Sequence, residues 1–340
     1  MAVEIIIAVD AMGGDHAPAE IIQGAVEALQ DKQLKLLLVG QETLLHEHLK
    51  LYDYDINRLG VVNASEVIAA GEAPAAAIKK KKNSTIVVGL NLVKAGKAQA
   101  FVSAGNTGAL LAGATHIVKR IKGIERPALA TLLPYVDEHA SRTGYCFLID
   151  SGANVDVKPG YLVQFAKMGS LYMDHILGIT NPRVGLVNIG AEEEKGNAFS
   201  KAAYTYLAES DINFVGNIEA RDISAGAADV VVCDGFVGNI ILKHSEGLAK
   251  ALMTMVKDEL MTSTRSKIGA FLAKSALTNL KKKLDYSEVG GAPFLGLRAL
   301  VVKAHGSASA KDIKGAIWQC RNFINHDMAS KIEEAIGKEL

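Results

Sequence analysis

Between residues 10 and 18 the chain reads Asp10-Ala11-Met12-Gly13-Gly14-Asp15-His16-Ala17-Pro18, which gathers carboxylates, an imidazole and a pair of glycines into one short stretch. Adjacent glycines let backbone N–H groups approach an anion closely, and Asp15 and His16 set an acid and a titratable base beside them. Gly-Gly after a strand is also an ordinary turn, and Asp10 could simply cap a helix, so this stretch alone does not define a site. It gains weight because the pattern recurs. Ser103-Ala104-Gly105-Asn106-Thr107-Gly108, Asp150-Ser151-Gly152-Ala153-Asn154, Asn188-Ile189-Gly190, Asp234-Gly235-Phe236-Val237-Gly238-Asn239 and Lys303-Ala304-His305-Gly306 each follow an apolar run. Five further loops of this kind, read as lying on one edge of a sheet, predict a wide polar crevice rather than separate turns.

What the loops lack narrows the chemistry. There is no Gly-x-Gly, no G-x-x-x-x-G-K-[ST], no G-x-S-x-G and no H-E-x-x-H anywhere in the chain. Dinucleotide, Walker-type nucleotide, serine-hydrolase and zincin sites therefore lack their fingerprints. What remains is an anion site with lysine, histidine and aspartate nearby and no obvious covalent nucleophile. Such a site suits phosphate binding and transfer by positioning and oxyanion stabilisation.

The elements that must carry these loops are legible from periodicity. Apolar runs at 4–9, 34–39, 100–103, 128–133, 145–150, 183–189, 213–216, 229–234 and 297–304 read as strands, and 18–30, 106–120, 159–177, 197–209 and 310–336 as helices. Their alternation predicts an α/β fold, a three-layer, doubly wound and mostly parallel sheet. The pair 128–133 and 145–149, separated by the polar Asp137-Glu138-His139, looks like a hairpin and makes the sheet mixed. With no low-complexity linker and no repeat, residues 1–340 read as a single catalytic unit with room for a cleft between two lobes.

Lys+Arg and Asp+Glu are equal at 37 each, so no global field marks a nucleic-acid binder. Cys146, Cys233 and Cys320 are odd in number and far apart, which suggests neither a disulfide framework nor a zinc site. No metal or cofactor is expected. The lack of a basic leader and of any apolar run of spanning length predicts a cytoplasmic protein.

Residues 245–285 break the alternation. They carry little strand signal and read as a projecting amphipathic helical segment, with Arg265, Lys267, Lys274, Lys281, Lys282 and Lys283 and no acid between Glu259 and Asp285. Met261, Ile268, Phe271 and Leu272 share one helical stripe, while Leu277, Leu280 and Leu284 fall on another side. One apolar side can pack in a dimer, and the basic face can meet anionic lipid or an acidic carrier protein, which makes peripheral membrane association an expectation. A solvated basic face over an ordinary dimer contact explains the same pattern.

With these motifs in hand, the chain resembles the bacterial phosphate acyltransferase family, the acyl-ACP:phosphate transacylases of phospholipid synthesis. The resemblance spans nearly the whole length and rests on residues 8–18, 102–109, 152–156, 187–190 with 193–197, 233–239 and 303–306. Ser151 departs from the Val or Leu more usual before Gly-Ala-Asn. The resemblance implies transfer of a long-chain fatty acyl group from the acyl carrier protein to inorganic phosphate. The acyl phosphate would then pass to a membrane glycerol-3-phosphate acyltransferase. It further implies a fold related to the isocitrate and isopropylmalate dehydrogenases, and a homodimer.

On that footing phosphate attacks the thioester directly, without an acyl-enzyme. Gly13, Gly14, Gly105, Asn106, Thr107 and Lys303 are candidates to hold phosphate or the developing oxyanion, with Asp10, Ser103, Asn154, Asn188, Gly190 and Asn239 completing the binding set. His16 or His305 would protonate the leaving thiol, and Asp15 or Asp234 would orient that imidazole. Arg265, Lys267, Ile268, Phe271, Leu272 and Lys274 are the candidate docking residues. A short-chain phosphate acetyltransferase using coenzyme A, a nicotinamide-dependent decarboxylating dehydrogenase and a non-enzymatic scaffold of lipid synthesis are the rival readings.

Overall fold

A computed structural model describes residues 4–135, 144–284 and 290–337. The Asp137–His139 segment and Asp285 lie outside the described residues, as do the side chains of Lys281, Lys282, Lys283 and Leu284. The N-terminal half contains β1 (Ile5–Asp10), α1 (Ala19–Ala28), β2 (Leu34–Gly40), α2 (Glu42–Leu49), β3 (Leu59–Asn63), α3 (Pro74–Lys80), α4 (Thr85–Lys94), β4 (Ala100–Ser103) and α5 (Thr107–Ile117). Then come β5 (Ala128–Pro134), β6 (Tyr145–Ile149), α6 (Pro159–Leu177), β7 (Val184–Asn188), α7 (Ala198–Ala208), β8 (Phe214–Glu219) and β9 (Val230–Val232). The chain closes with α8 (Gly235–Leu260), α9 (Thr264–Leu272), α10 (Lys274–Leu284), β10 (Ala292–Leu295), β11 (Leu300–Lys303), α11 (Ala310–Asn325) and α12 (Met328–Gly337).

The strands form one 11-stranded sheet in the order β3-β2-β1-β4-β11-β10-β5-β6-β9-β7-β8. Neighbours from β3 to β11 are parallel, as are those from β6 to β8, while β10 pairs antiparallel with β11 and β5, and β5 antiparallel with β6. Two parallel blocks therefore run in opposite directions, joined through β10 and β5. This corrects the expectation that all the loops share one sheet edge. The loops after β6, β9 and β7 emerge at the edge opposite to those after β1, β4 and β11, and period-2 alternation carries no information about strand direction.

Burial explains the continuous apolar runs. Ile5, Ile7 and Val9 of β1 face the same core as Phe147 and Ile149 of β6 and Val230 and Val232 of β9, under α1, α6, α11 and α12. On the other face the core is split. Ala8, Phe101 and Val301 pack with Ile78, Leu90 and Leu110 of α3, α4 and α5, whereas Cys146, Leu148, Val231 and Cys233 pack with Leu242 of α8 in a separate cluster. Both faces are covered, as a parallel sheet requires. The gap between the two upper clusters lies over the junction of the blocks.

Other differences from the sequence reading have local causes. The run 297–304 contains only β11. Gly296 at φ +88° ends β10, which pairs antiparallel with β11. The C-terminal helix is broken between α11 and α12 at Asp327, a non-glycine residue at φ +49°. The edge strand β3 and the helices α2, α3 and α4 fill stretches to which the sequence reading assigned no element.

In the projecting region, α8 begins at Gly235, ten residues before the expected start, and buries only Gly235, Gly238 and Leu242. Met261, Ile268, Phe271 and Leu272 are exposed, the last two by 76% and 78%. No helix among the described residues is long and apolar enough to cross a membrane.

Candidate active site

A cavity of about 840 Å³ occupies the gap between the two upper clusters. One end is polar. It is built by residues 12–15 after β1, 104–108 after β4 and 303–306 at the end of β11, three adjacent strands of one block. Side-chain and backbone bonds lace these loops together. Buried Asp10 accepts from Ser103 Oγ at 2.7 Å and from the Met12 N–H at 3.1 Å, and Ser103 Oγ accepts from the Gly105 N–H at 3.0 Å. The Asp15 N–H donates to the Gly306 carbonyl at 2.7 Å. The packing leaves no room for a side chain at residue 13, where a Cβ would lie 2.6 Å from Asp10 Oδ2 and 2.7 Å from the Gly105 nitrogen.

The β4–α5 turn brings open backbone donors to this end. Asn106 caps α5, accepting from the Ala109 N–H at 2.9 Å, and its Nδ2 donates to the carbonyls of Ala69 and Ala70, both at 3.0 Å. The N–H groups of Thr107 and Gly108 have no protein acceptor among the described residues, and both residues line the cavity. An N-terminus of this kind carries partial positive charge and open donors.

Lys303 stands at the same end, where its Nζ donates to the carbonyl of Ala104 at 3.1 Å and to that of Ala304. Burial lowers its pKa to about 8, against the pull of Asp10 and Asp15 and with help from Lys243. Burial likewise raises Asp10 above the ordinary carboxylate range, opposed by its bond from Ser103.

His305 lines the cavity. Its Nδ1 accepts from the Ser307 N–H at 3.2 Å and lies 2.8 Å from Ser307 Oγ, which assigns the ring proton to Nε2. The far walls are apolar, formed by Leu111, Leu129, Leu132 and Leu242.

The structure thus brings Gly13, Gly14, Asp15, Gly105, Asn106, Thr107, Asn239, Lys303 and His305 to one cavity, with Asp10 and Ser103 as the buried scaffold beneath. Other candidates stand elsewhere. His16 is exposed and does not line the cavity. Asp234 caps α8 through the Val237 N–H at 2.9 Å. Asn154 donates its N–H and Nδ2 to Asp150 Oδ2 at 2.8 and 2.7 Å, holding the loop after β6. Asn188 and Gly190 end β7 at the opposite sheet edge, where Asn188 Nδ2 donates to the Lys195 carbonyl at 3.1 Å.

Sequence reasoning missed Lys243 and Glu246, which line the cavity from α8 and form an ion pair at 2.7 Å. Asn239, Leu242, Lys243 and Glu246 recur at helical spacing, a signal available had the helix been started at Gly235. No group of three or more potential metal ligands occurs among the described residues.

This fold is that of the phosphotransacylases. A phosphotransacetylase from Streptococcus pyogenes superimposes with a TM-score of 0.64 over 95% of this chain and 94% of its own, at 18% identity. A branched-chain phosphotransacylase from Enterococcus faecalis V583 does so at 0.56 over 95% and 99%, at 14% identity. Sequence carries the assignment further, because the chain belongs to the fatty acid synthesis protein family, whose model matches residues 5–331. A phosphate acyltransferase from Clostridium perfringens SM101 is 51% identical over 335 residues, covering 98% of this chain and 97% of the relative. One from Clostridium botulinum Loch Maree is 49% identical over 334 residues, covering 98% of each. The chain is an enzyme of the acyltransferase class.

Proposed function

We propose that the enzyme transfers a long-chain fatty acyl group from acyl carrier protein to inorganic phosphate, yielding acyl phosphate and free carrier. The observation that carries this reading is the two-ended cavity, with open N–H donors and Lys303 at one end and leucine walls at the other. The leucine walls favour a long acyl chain over the coenzyme A-linked short-chain alternative.

Phosphate sits on the Thr107 and Gly108 N–H groups and on Lys303, aligned against the thioester carbonyl carbon. Phosphate is already anionic at neutral pH, so alignment contributes more than deprotonation. One of its oxygens forms the new C–O bond, the carbonyl oxygen collects negative charge, and the C–S bond breaks with its electron pair on sulfur. The backbone around Gly13 and Gly14 stabilises the oxyanion. His305 hydrogen-bonds the leaving sulfur through Nε2, and the proton that makes the thiol balances the one that monohydrogen phosphate loses on becoming acyl phosphate. Among the two histidines, the cavity position favours His305 over His16.

The exposed Met261, Ile268, Phe271 and Leu272, beside Arg265, Lys267 and Lys274, support an interface of α8–α10 with a second copy of the chain or with an anionic membrane. Flotation with anionic liposomes separates the two, since equal binding by wild type and Phe271→Glu removes the membrane. The catalytic reading is tested by release of free carrier from palmitoyl-carrier protein with and without phosphate, alongside detection of palmitoyl phosphate. Release that does not depend on phosphate refutes it.

A further inference from the structure

Nine of the 37 lysines and arginines, and none of the 37 aspartates and glutamates, fall between residues 73 and 124. The chain is neutral overall, so its remainder carries an acid excess of the same size. The basic stretch builds α3, α4, β4 and α5, the flank of the cavity on the Gly105–Leu111 side. Lys81 is paired with Glu72 at 2.6 Å. Lys79, Lys82 and Lys94 have no ion-pair or hydrogen-bond partner among the described residues.

With Asn91 and His116 these three exposed lysines ring a depression of about 200 Å³ whose floor is Ile78, Val87 and Ile117. A cationic rim over an apolar floor fits an amphipathic, acidic surface. Lys79, Lys94 and His116 lie in the last turns of α3, α4 and α5. Helix C-termini carry partial negative charge, which favours cations held outward and disfavours a small anion drawn into the floor. A macromolecular partner therefore suits the depression better than a free phosphate does.

The depression and the cavity share α5, which lines the cavity at Thr107, Gly108 and Leu111 and the depression at His116 and Ile117. Gly108 to His116 is about 12 Å of helix.

We propose that this depression receives the carrier protein that delivers the acyl thioester, an inference that rests on the carrier-bound donor named above. Carboxylates of an acidic carrier helix meet Lys79, Lys82 and Lys94, and an apolar side chain of that helix sits on Ile78, Val87 and Ile117. The carrier's thioester arm then needs to span little more than the α5 segment to enter the cavity. Complementary charge of this kind speeds encounter and fixes orientation.

The test uses the full-length protein carrying Lys82→Glu and Lys94→Glu, both at exposed positions away from the cavity. Two donors are compared at saturating phosphate: palmitoyl-carrier protein and palmitoyl-pantetheine, which keeps the arm and lacks the carrier. The expected result is a fall of tenfold or more in kcat/KM for the carrier-bound donor, with palmitoyl-pantetheine turnover kept within twofold. Added salt should depress carrier turnover by the wild type and leave the variant's nearly flat. Undiminished use of the carrier-bound donor would overturn the proposal, and so would equal loss on both donors or a raised KM for phosphate in the variant. A wild type that uses palmitoyl-pantetheine but ignores the carrier-bound donor would instead defeat the donor assignment, and the docking site with it.

Discussion

Replacing Lys303 by Met separates the cost of burying a cation from its use. An ordinary lysine titrates near 10.5, and burial at the cavity end brings Lys303 down to about 8. Below about pH 8 both the folded and the unfolded chain hold the proton, and the folded protein bears the full penalty of the buried ammonium. From pH 8 to 10.5 the folded chain loses the proton first and the unfolded chain binds more, so stability rises with pH through that window. The gap corresponds to about 3 kcal/mol, most of it crossed between about pH 8 and pH 10.5. Other titrating groups are common to both proteins and cancel in the difference. Urea unfolding of wild type and Lys303→Met should therefore show the stability difference moving toward the wild type by about that amount as pH rises. In parallel, kcat/KM for phosphate should fall in the wild type with an apparent pKa near 8, and the variant's residual activity should lack that limb. A stability difference that stays flat across the window would show that the ammonium is not desolvated, and a variant that keeps the activity limb near pH 8 would show that Lys303 does not contact phosphate.

Gly13→Ala should leave the fold in place at a cost of about 1–3 kcal/mol, since its Cβ presses on Asp10 and the Gly105 amide, while KM for phosphate rises sharply; thermal unfolding and steady-state kinetics check both. Ser103→Ala removes the donor to buried Asp10 and should destabilise by about 1–3 kcal/mol, a loss that shrinks under acid as Asp10 takes a proton, as read by unfolding at several pH values. His305→Gln should slow transfer from alkyl thioesters about 10²-fold or more and from aryl thioesters much less, because a good leaving group needs no help at sulfur; equal losses on both would move the role elsewhere.

The polar end of the cavity was legible because its residues follow strands of one block and lie close together in each loop. Asp10 to Asp15, Ser103 to Thr107 and Lys303 to His305 converge once β1, β4 and β11 are neighbours, and their apolar runs mark those strands as buried on both faces. The limits are equally specific. Asn188 and Gly190 carry the same residue types after an equally apolar strand, yet β7 lies beyond β6 and β9, away from the junction of the blocks, and nothing in its composition records its place in the sheet. Asp234 and Asn154 have site-like chemistry that the fold uses for a helix cap and a loop clasp. Lys243 escaped because its helix was read from too late a start, and the break at Asp327 because an aspartate gives no glycine-like warning.

The division of labour between the two faces of the sheet has a consequence for how this enzyme can change. One apolar layer runs unbroken beneath both blocks and carries the connection between them, whereas the upper layer is two separate clusters that never had to fit each other. Leu111 and Leu129 face the cavity from one side and Leu242 from the other, so trimming or enlarging them alters the size of the cavity without opening the shared foundation. The polar end, tied together by Asp10 and Ser103, has less freedom of that kind. The molecule therefore holds the polar end of its cavity fixed while leaving the size of the apolar end open to drift, one leucine at a time.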